Sequence, residues 1–159
     1  MNPIKDDFRN FLFLCWKHLN LPDPTPVQYD MANFIQHAPK RAVIQAFRGV
    51  GKSWICSAFV CWKLLNDPDL KFLVVSASKN RADDFSTFTK RLISEMEILQ
   101  HLTPKDNQRG SNVSFDVALA KASHAPSVKS VGITGQLTGS RANYIISDDC
   151  ESLNNSLTQ

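Results

Sequence analysis

The densest chemistry in the chain lies in Ala46-Phe47-Arg48-Gly49-Val50-Gly51-Lys52-Ser53. Two glycines free the backbone to aim its N–H groups at one point, and a following helix adds the positive end of its dipole. Lys52 brings a point charge, and Ser53 brings a hydroxyl suited to a hard divalent cation such as Mg²⁺. Together, Gly49, Val50, Gly51, Lys52 and Ser53 could cradle the β- and γ-phosphate oxygens of a nucleotide. Ala46 stands where the standard phosphate-loop pattern has its first glycine. The plainer alternative is a solvated turn that caps a helix. Arg48, inside the loop, could reach a γ-phosphate in cis, or could form a salt bridge that fixes the loop.

A second cluster is Tyr144-Ile145-Ile146-Ser147-Asp148-Asp149. A buried strand ending in paired carboxylates, far downstream of Lys52, matches a Walker B element. Asp148 would hold Mg²⁺ directly or through water, and a second carboxylate would orient or deprotonate the attacking water. Asp149 occupies that second place, and Glu151 is the competing candidate. A pair of exposed acids at a strand-to-loop junction is the alternative, weakened by the joint occurrence of the two clusters in the right order. Upstream, Gln28 in Thr25-Pro26-Val27-Gln28 could read an adenine edge, although a Gln on a helix surface is commoner. The stretch 132–141 holds Gly132, Gly135 and Gly139, and ends in Arg141. Arg141 could pair with Asp148 or Asp149, act on a neighbouring subunit's nucleotide, or be a plain solvated residue.

The elements that must position these groups follow from periodicity. Residues 4–20 carry Ile4, Phe8, Phe11, Leu12, Cys15 and Leu19 at helical spacing. Thr25 then Pro26 starts a second helix, which Pro39 ends. Ala42–Phe47 reads as a buried strand, and a helix runs from Lys52 to about Leu65. Phe72–Ser76 is another buried strand. Ser78 or Asn80 could cap a helix with Phe85, Phe88, Leu92, Met96 and Leu99 on one face. Pro104–Gly110 reads as a loop. Val113, Phe115 and Val117 alternate as in a half-buried strand, and Val128–Thr134 and Tyr144–Ile146 are further strand candidates. Strands alternating with helices predict an α/β fold with a parallel sheet, which the polar tail Ser152–Gln159 leaves looking cut short.

Composition excludes several classes. The chain has 159 residues, 43% hydrophobic and 21% charged, as a folded domain has. The longest nearly apolar run, Trp54 to Leu65 with Lys63 inside it, is too short to span a bilayer. Asp6 and Asp7 argue against a secretory leader. The four cysteines form no CxxC pair, and the histidines are scattered, so neither a zinc site nor a disulfide framework is expected. Net charge is only +3, yet residues 31–66 and 117–147 contain no acid. These stretches either meet phosphate or are simply buried elements with charged ends.

Taken together, these residues resemble a family. Ala46–Ser53 with its internal Arg, Val74–Lys79, Ser127–Ala142 and the Asp148-Asp149 strand end look like the large terminase subunits of tailed phages, of the short-tailed podophage type. The resemblance covers nearly the whole chain. It implies a P-loop NTPase fold of the ASCE type, incomplete at its C-terminus, and the ATPase part of a DNA-packaging motor. Residues 1–38 would form a helical segment with the adenine-side motif. Residues 39–159 would form the ATPase core, ending after Walker B, with the coupling motif and the nuclease domain absent. By position, Lys52, Ser53 and Arg48 would form the phosphate site, Asp148 the metal carboxylate and Asp149 the catalytic carboxylate, with Arg141 a candidate trans-acting finger. The implied cofactors are ATP and Mg²⁺. The implied partners are double-stranded DNA, the portal protein, the small terminase subunit and further copies in a ring, usually a pentamer. The implied setting is the host cytoplasm, with docking at the procapsid portal. The alternatives are a helicase-like ATPase on the same fold, a small-molecule phosphotransferase, and a non-catalytic remnant that only binds partners.

Overall fold

A computed structural model of the protein describes residues 2–47, 49–135 and 141–148. Arg48, Gln136–Ser140, Asp149, Cys150, Glu151 and the tail lie outside the described residues. The architecture is mixed α/β: helices pack on a four-stranded sheet whose strands lie in the order β2 (Ser114–Phe115), β3 (Val128–Gly132), β1 (Phe72–Ser76), β4 (Tyr144–Asp148).

The first expected helix is two helices, α1 (Pro3–Asp6) and α2 (Phe8–His18). The apolar spacing continues through the break, but Asp7 is extended at φ −133°. Its carboxylate accepts from the Arg9 N–H at 3.0 Å, so it caps a new helix rather than continuing the old one. Gln36, at the far end of α3 (Pro26–Gln36), repairs the break. Its Oε1 accepts from the Phe8 N–H, and its Nε2 donates to the Asp6 carbonyl, both at 2.9 Å. α3 itself begins with a reciprocal capping box between Thr25 and Gln28, with Pro26 in the first turn. It stops at Gln36, ahead of Pro39.

α4 (Lys52–Asn66) lies in the middle of the molecule, packed against α1, α2, α3 and α5. Hence its apolar residues run almost all round: Ile55, Ala58, Phe59, Val60, Cys61, Trp62, Leu64 and Leu65 are all buried. Phe59, Trp62 and Phe8 form one aromatic cluster, and the Trp62 indole N–H donates to the Ile4 carbonyl at 2.9 Å.

β1 (Phe72–Ser76) is buried at every position. It runs parallel to β3 (Val128–Gly132) on one side and to β4 (Tyr144–Asp148) on the other. α5 (Lys79–Glu95) follows β1 and starts at Ser78, whose hydroxyl accepts from the Arg81 N–H. The end of β3 presses against that start. A Cβ on Gly132 would lie 2.8 Å from the Lys79 nitrogen, so this crossing has room for glycine alone. The expected strand around Val113–Val117 shrinks to β2 (Ser114–Phe115), antiparallel to β3. Beyond Phe115 the backbone turns away from β3. The Val117 N–H goes to the Ser127 hydroxyl and the Ala118 N–H to the Leu102 carbonyl, each at 3.0 Å.

Two expectations of burial are corrected. Ala42–Phe47 forms no strand, and its Val43 and Phe47 are 84% and 66% exposed. Among the described residues no strand runs beside it, so no ladder pairs its peptide groups. β4 is a strand, but an edge strand that alternates between half-buried and exposed residues, with Ile145 68% exposed.

No helix among the described residues is long and apolar enough to cross a membrane. Cys15, Cys56 and Cys61 are in no disulfide, and burial pushes the Cys15 and Cys61 thiols up, away from the reactive thiolate form.

Candidate functional site

The glycine loop closes through a turn in which the Val50 N–H donates to the Phe47 carbonyl. Gly51 is the N-cap of α4 at φ +86°, a left-handed conformation that a side chain would strain, and Gly49 is at +89°. Val50 between them is buried and anchors the loop in the core. The N-cap of α4 is a glycine and makes no side-chain capping bond, so the helix start opens onto the loop. Lys52 and Ser53 are half-buried at this helix start.

β4 delivers the second half of the site. Its start is pinned by Asn143, whose Oδ1 accepts from the Lys71 N–H at 2.8 Å and whose own N–H donates to the Lys71 carbonyl. Pairing with β1 in register then sets Asp148 beside Ser76, at the C-terminal ends of the parallel strands. Open α/β sheets bind ligands at that edge. The Ser53 hydroxyl donates to Asp148 Oδ2 at 2.7 Å, across 95 positions of sequence. The contact gathers two hard oxygens at an uncapped helix start, a donor set that suits Mg²⁺ completed by waters and phosphate oxygens. Among the described residues no cluster of three or more His, Cys, Asp or Glu exists that would suit a softer or more fully protein-held metal.

The other candidates are placed less uniformly. Gln28 sits directly behind the loop. Its Nε2 donates to the Val50 carbonyl at 2.9 Å, and its Oε1 accepts from the Thr25 N–H at 2.9 Å and from the Trp16 indole N–H at 3.2 Å. Arg141 is exposed in the segment that leads into β4. Arg48, Asp149 and Glu151 lie outside the described residues. Sequence reasoning missed Trp16 and Asn143. For Trp16 a signal existed, because an indole on an apolar helix face must find an acceptor for its N–H. For Asn143 no local pattern marks the clamp, since its partner Lys71 is distant in sequence.

Trp54 follows Ser53 on α4 and is 43% exposed. Its ring stacks on Phe88 of α5 at 5.8 Å between centroids and meets Trp16 edge-on at 6.3 Å. Trp16, Trp54 and Phe88 thus form an aromatic row that begins one residue after Ser53.

No family model matches the chain. The chain is 57% identical over 157 residues to the curated large terminase subunit of Enterobacteria phage T3. The alignment takes in 98% of this chain and 27% of that protein, so the chain spans about a quarter of the relative's length. Nearly the whole chain is therefore homologous to part of a phage large terminase subunit, the family that its motifs resemble.

Proposed function

We propose that this chain is a nucleotide-binding segment of a phage DNA-packaging motor, built on a P-loop NTPase core, that hydrolyses ATP within the whole terminase. The observation that carries the reading is the bond between Ser53 and Asp148 at the N-terminus of α4. A Walker A hydroxyl and a Walker B carboxylate must meet in this way to share one metal ion.

In this reading the N–H groups at the start of α4 and the Lys52 ammonium bind the β- and γ-phosphates. Ser53 and Asp148 hold Mg²⁺, which neutralises charge on the phosphates when bound. Asp149 takes the proton of a water placed in line with the γ-phosphorus, and Glu151 is the second candidate for that role. Arg48 acts on the γ-phosphate in cis, and Arg141 reaches a neighbouring subunit's nucleotide in a ring. The motor as a whole moves double-stranded DNA through the portal of a procapsid in the host cytoplasm, together with the small terminase subunit. The homology to a terminase large subunit supports the DNA-packaging role.

A second reading is a chain that binds without turnover. One observation favours it: Ala42–Phe47, which leads into the loop, lies outside the sheet. Titrating MgATP while following Trp54 fluorescence, with Lys52→Ala as control and circular dichroism to confirm folding, tests the first step. Saturable binding lost in Lys52→Ala supports the site, and no binding by the folded chain overturns it. Binding without phosphate release, in a protein that carries the remaining subunit, would establish the second reading.

A further inference from the structure

The Gln28 side chain is occupied in a way that its sequence position does not suggest. A primary amide offers one oxygen with two lone pairs and two N–H donors. Both lone pairs of Gln28 are taken, by the Thr25 N–H and the Trp16 indole N–H, and one donor is taken by the Val50 carbonyl. The reverse amide orientation would set NH₂ against two N–H donors, so the assignment follows from the partners. One N–H is left. Reading adenine takes a donor and an acceptor together, as in the bidentate Gln–adenine pair, and the acceptor is spent. The partners also form a continuous path. Trp16 belongs to α2, Thr25 caps α3, and Val50 is the buried residue between the two left-handed glycines. Gly51 completes the contact: a Cβ there would lie 3.5 Å from Gln28 Nε2 and 3.8 Å from Trp16 Cζ2.

We propose that Gln28 is a positioning residue, a strut that holds the Val50 carbonyl of the phosphate loop against α2 and α3 and fixes the loop before nucleotide arrives, and that it does not select the base. The proposal rests on the nucleotide-site reading of the loop. Preorganisation of this kind raises affinity for anything with a triphosphate, because the loop's ordering is completed during folding. Its loss falls equally on all such ligands.

Two measurements on the 159-residue chain separate the possibilities. The first needs no ligand: amide hydrogen exchange at Gly49–Ser53. In Gln28→Ala, and in Gln28→Glu, which keeps both acceptor bonds and loses only the donor to Val50, exchange in the loop should rise severalfold while α5 stays protected. Trp16→Phe, which removes one of the two donors to Oε1, should give a smaller rise. Unchanged loop exchange in both Gln28 variants overturns the strut, whether or not the chain binds nucleotide. The second is affinity for MgATP, MgGTP and magnesium tripolyphosphate, which has no base. Gln28→Ala should weaken all three by the same factor, about fivefold to tenfold for the lost bond to the loop itself, the one to the Val50 carbonyl. A loss confined to MgATP overturns the proposal and makes Gln28 the adenine reader. If the wild-type chain binds none of the three, the nucleotide-site reading fails, and the exchange result alone decides the strut.

Discussion

Two segments that both read as buried strands end in opposite environments. Phe72-Leu73-Val74-Val75-Ser76 is buried at every residue between β3 and β4. Ala42-Val43-Ile44-Gln45-Ala46-Phe47 has no neighbouring strand among the described residues and holds Val43 and Phe47 out in water. β propensity is thus a statement about partners. A strand is buried when two ladders satisfy its peptide groups and helices cover its faces, and the residues alone do not supply these.

The most forceful way to break the comparison is truncation in both segments. Phe72→Ala removes a fully buried ring stacked on Tyr144 at 5.1 Å, and should lower stability by about 3–5 kcal/mol. Val43→Ala should change it by no more than about 0.5 kcal/mol. Denaturant midpoints at equal slope measure both. A large loss at Val43 would show that 42–47 is covered after all.

A milder test moves to the edge. Ile145 faces solvent in the middle of β4, whose outer side has no strand partner among the described residues. Ile145→Lys should leave the thermal midpoint within a few degrees and reduce self-association, because a charge blunts an open edge. A collapse of stability would place Ile145 in a packed interface.

The smallest effect belongs to the closed side of the molecule, where α5 meets α2. Arg91, with His18 beside it, holds the Glu95 carboxyl below its usual range. A carboxyl with a lowered folded-state pKa contributes stability above the unfolded value, about 4.3, and loses it as pH falls through the folded value. Glu95→Gln should therefore lower the thermal midpoint slightly at neutral pH and converge with the wild type in acid. Glu95 is exposed, so added salt should shrink the difference. A difference that grows in acid would contradict this sign.

Much of the frame was legible in the sequence, for identifiable reasons. Thr25-Pro26, Ser78 and the spacing of Phe85, Phe88 and Leu92 act locally, through caps and a 3.6-residue period, and the structure starts α3 and α5 where these rules place them. Met96 and Leu99 of the expected face, however, fall beyond α5, which ends at Glu95 before a short 3₁₀ turn, Glu97–Leu102. The order of the glycine loop and the acidic strand end suggested that Ser53 and Asp148 meet, and they do. What was illegible depends on distant chain. The split at Asp7 depends on a cap competing with a continuous apolar stripe. The exposure of Ala42–Phe47 depends on which strand lies beside it. The threefold engagement of Gln28 needed Trp16 from another helix, although the Thr25–Gln28 capping box was visible in the spacing.

The register of β4 on β1 has a consequence for how the site comes into being. Ser53 meets Asp148 across 95 positions and Phe72 pairs with Tyr144 across 72, against 58 from Trp62 to Ile4 in the helical layer. Closing the longer loop costs more entropy before any contact rewards it. The helical layer with its glycine loop should therefore assemble early, and the strand that carries Asp148 should dock late. Refolding followed by pulse labelling should show α4 protected ahead of β4, so that the oxygen pair at Ser53 is completed only as the last strand enters the sheet.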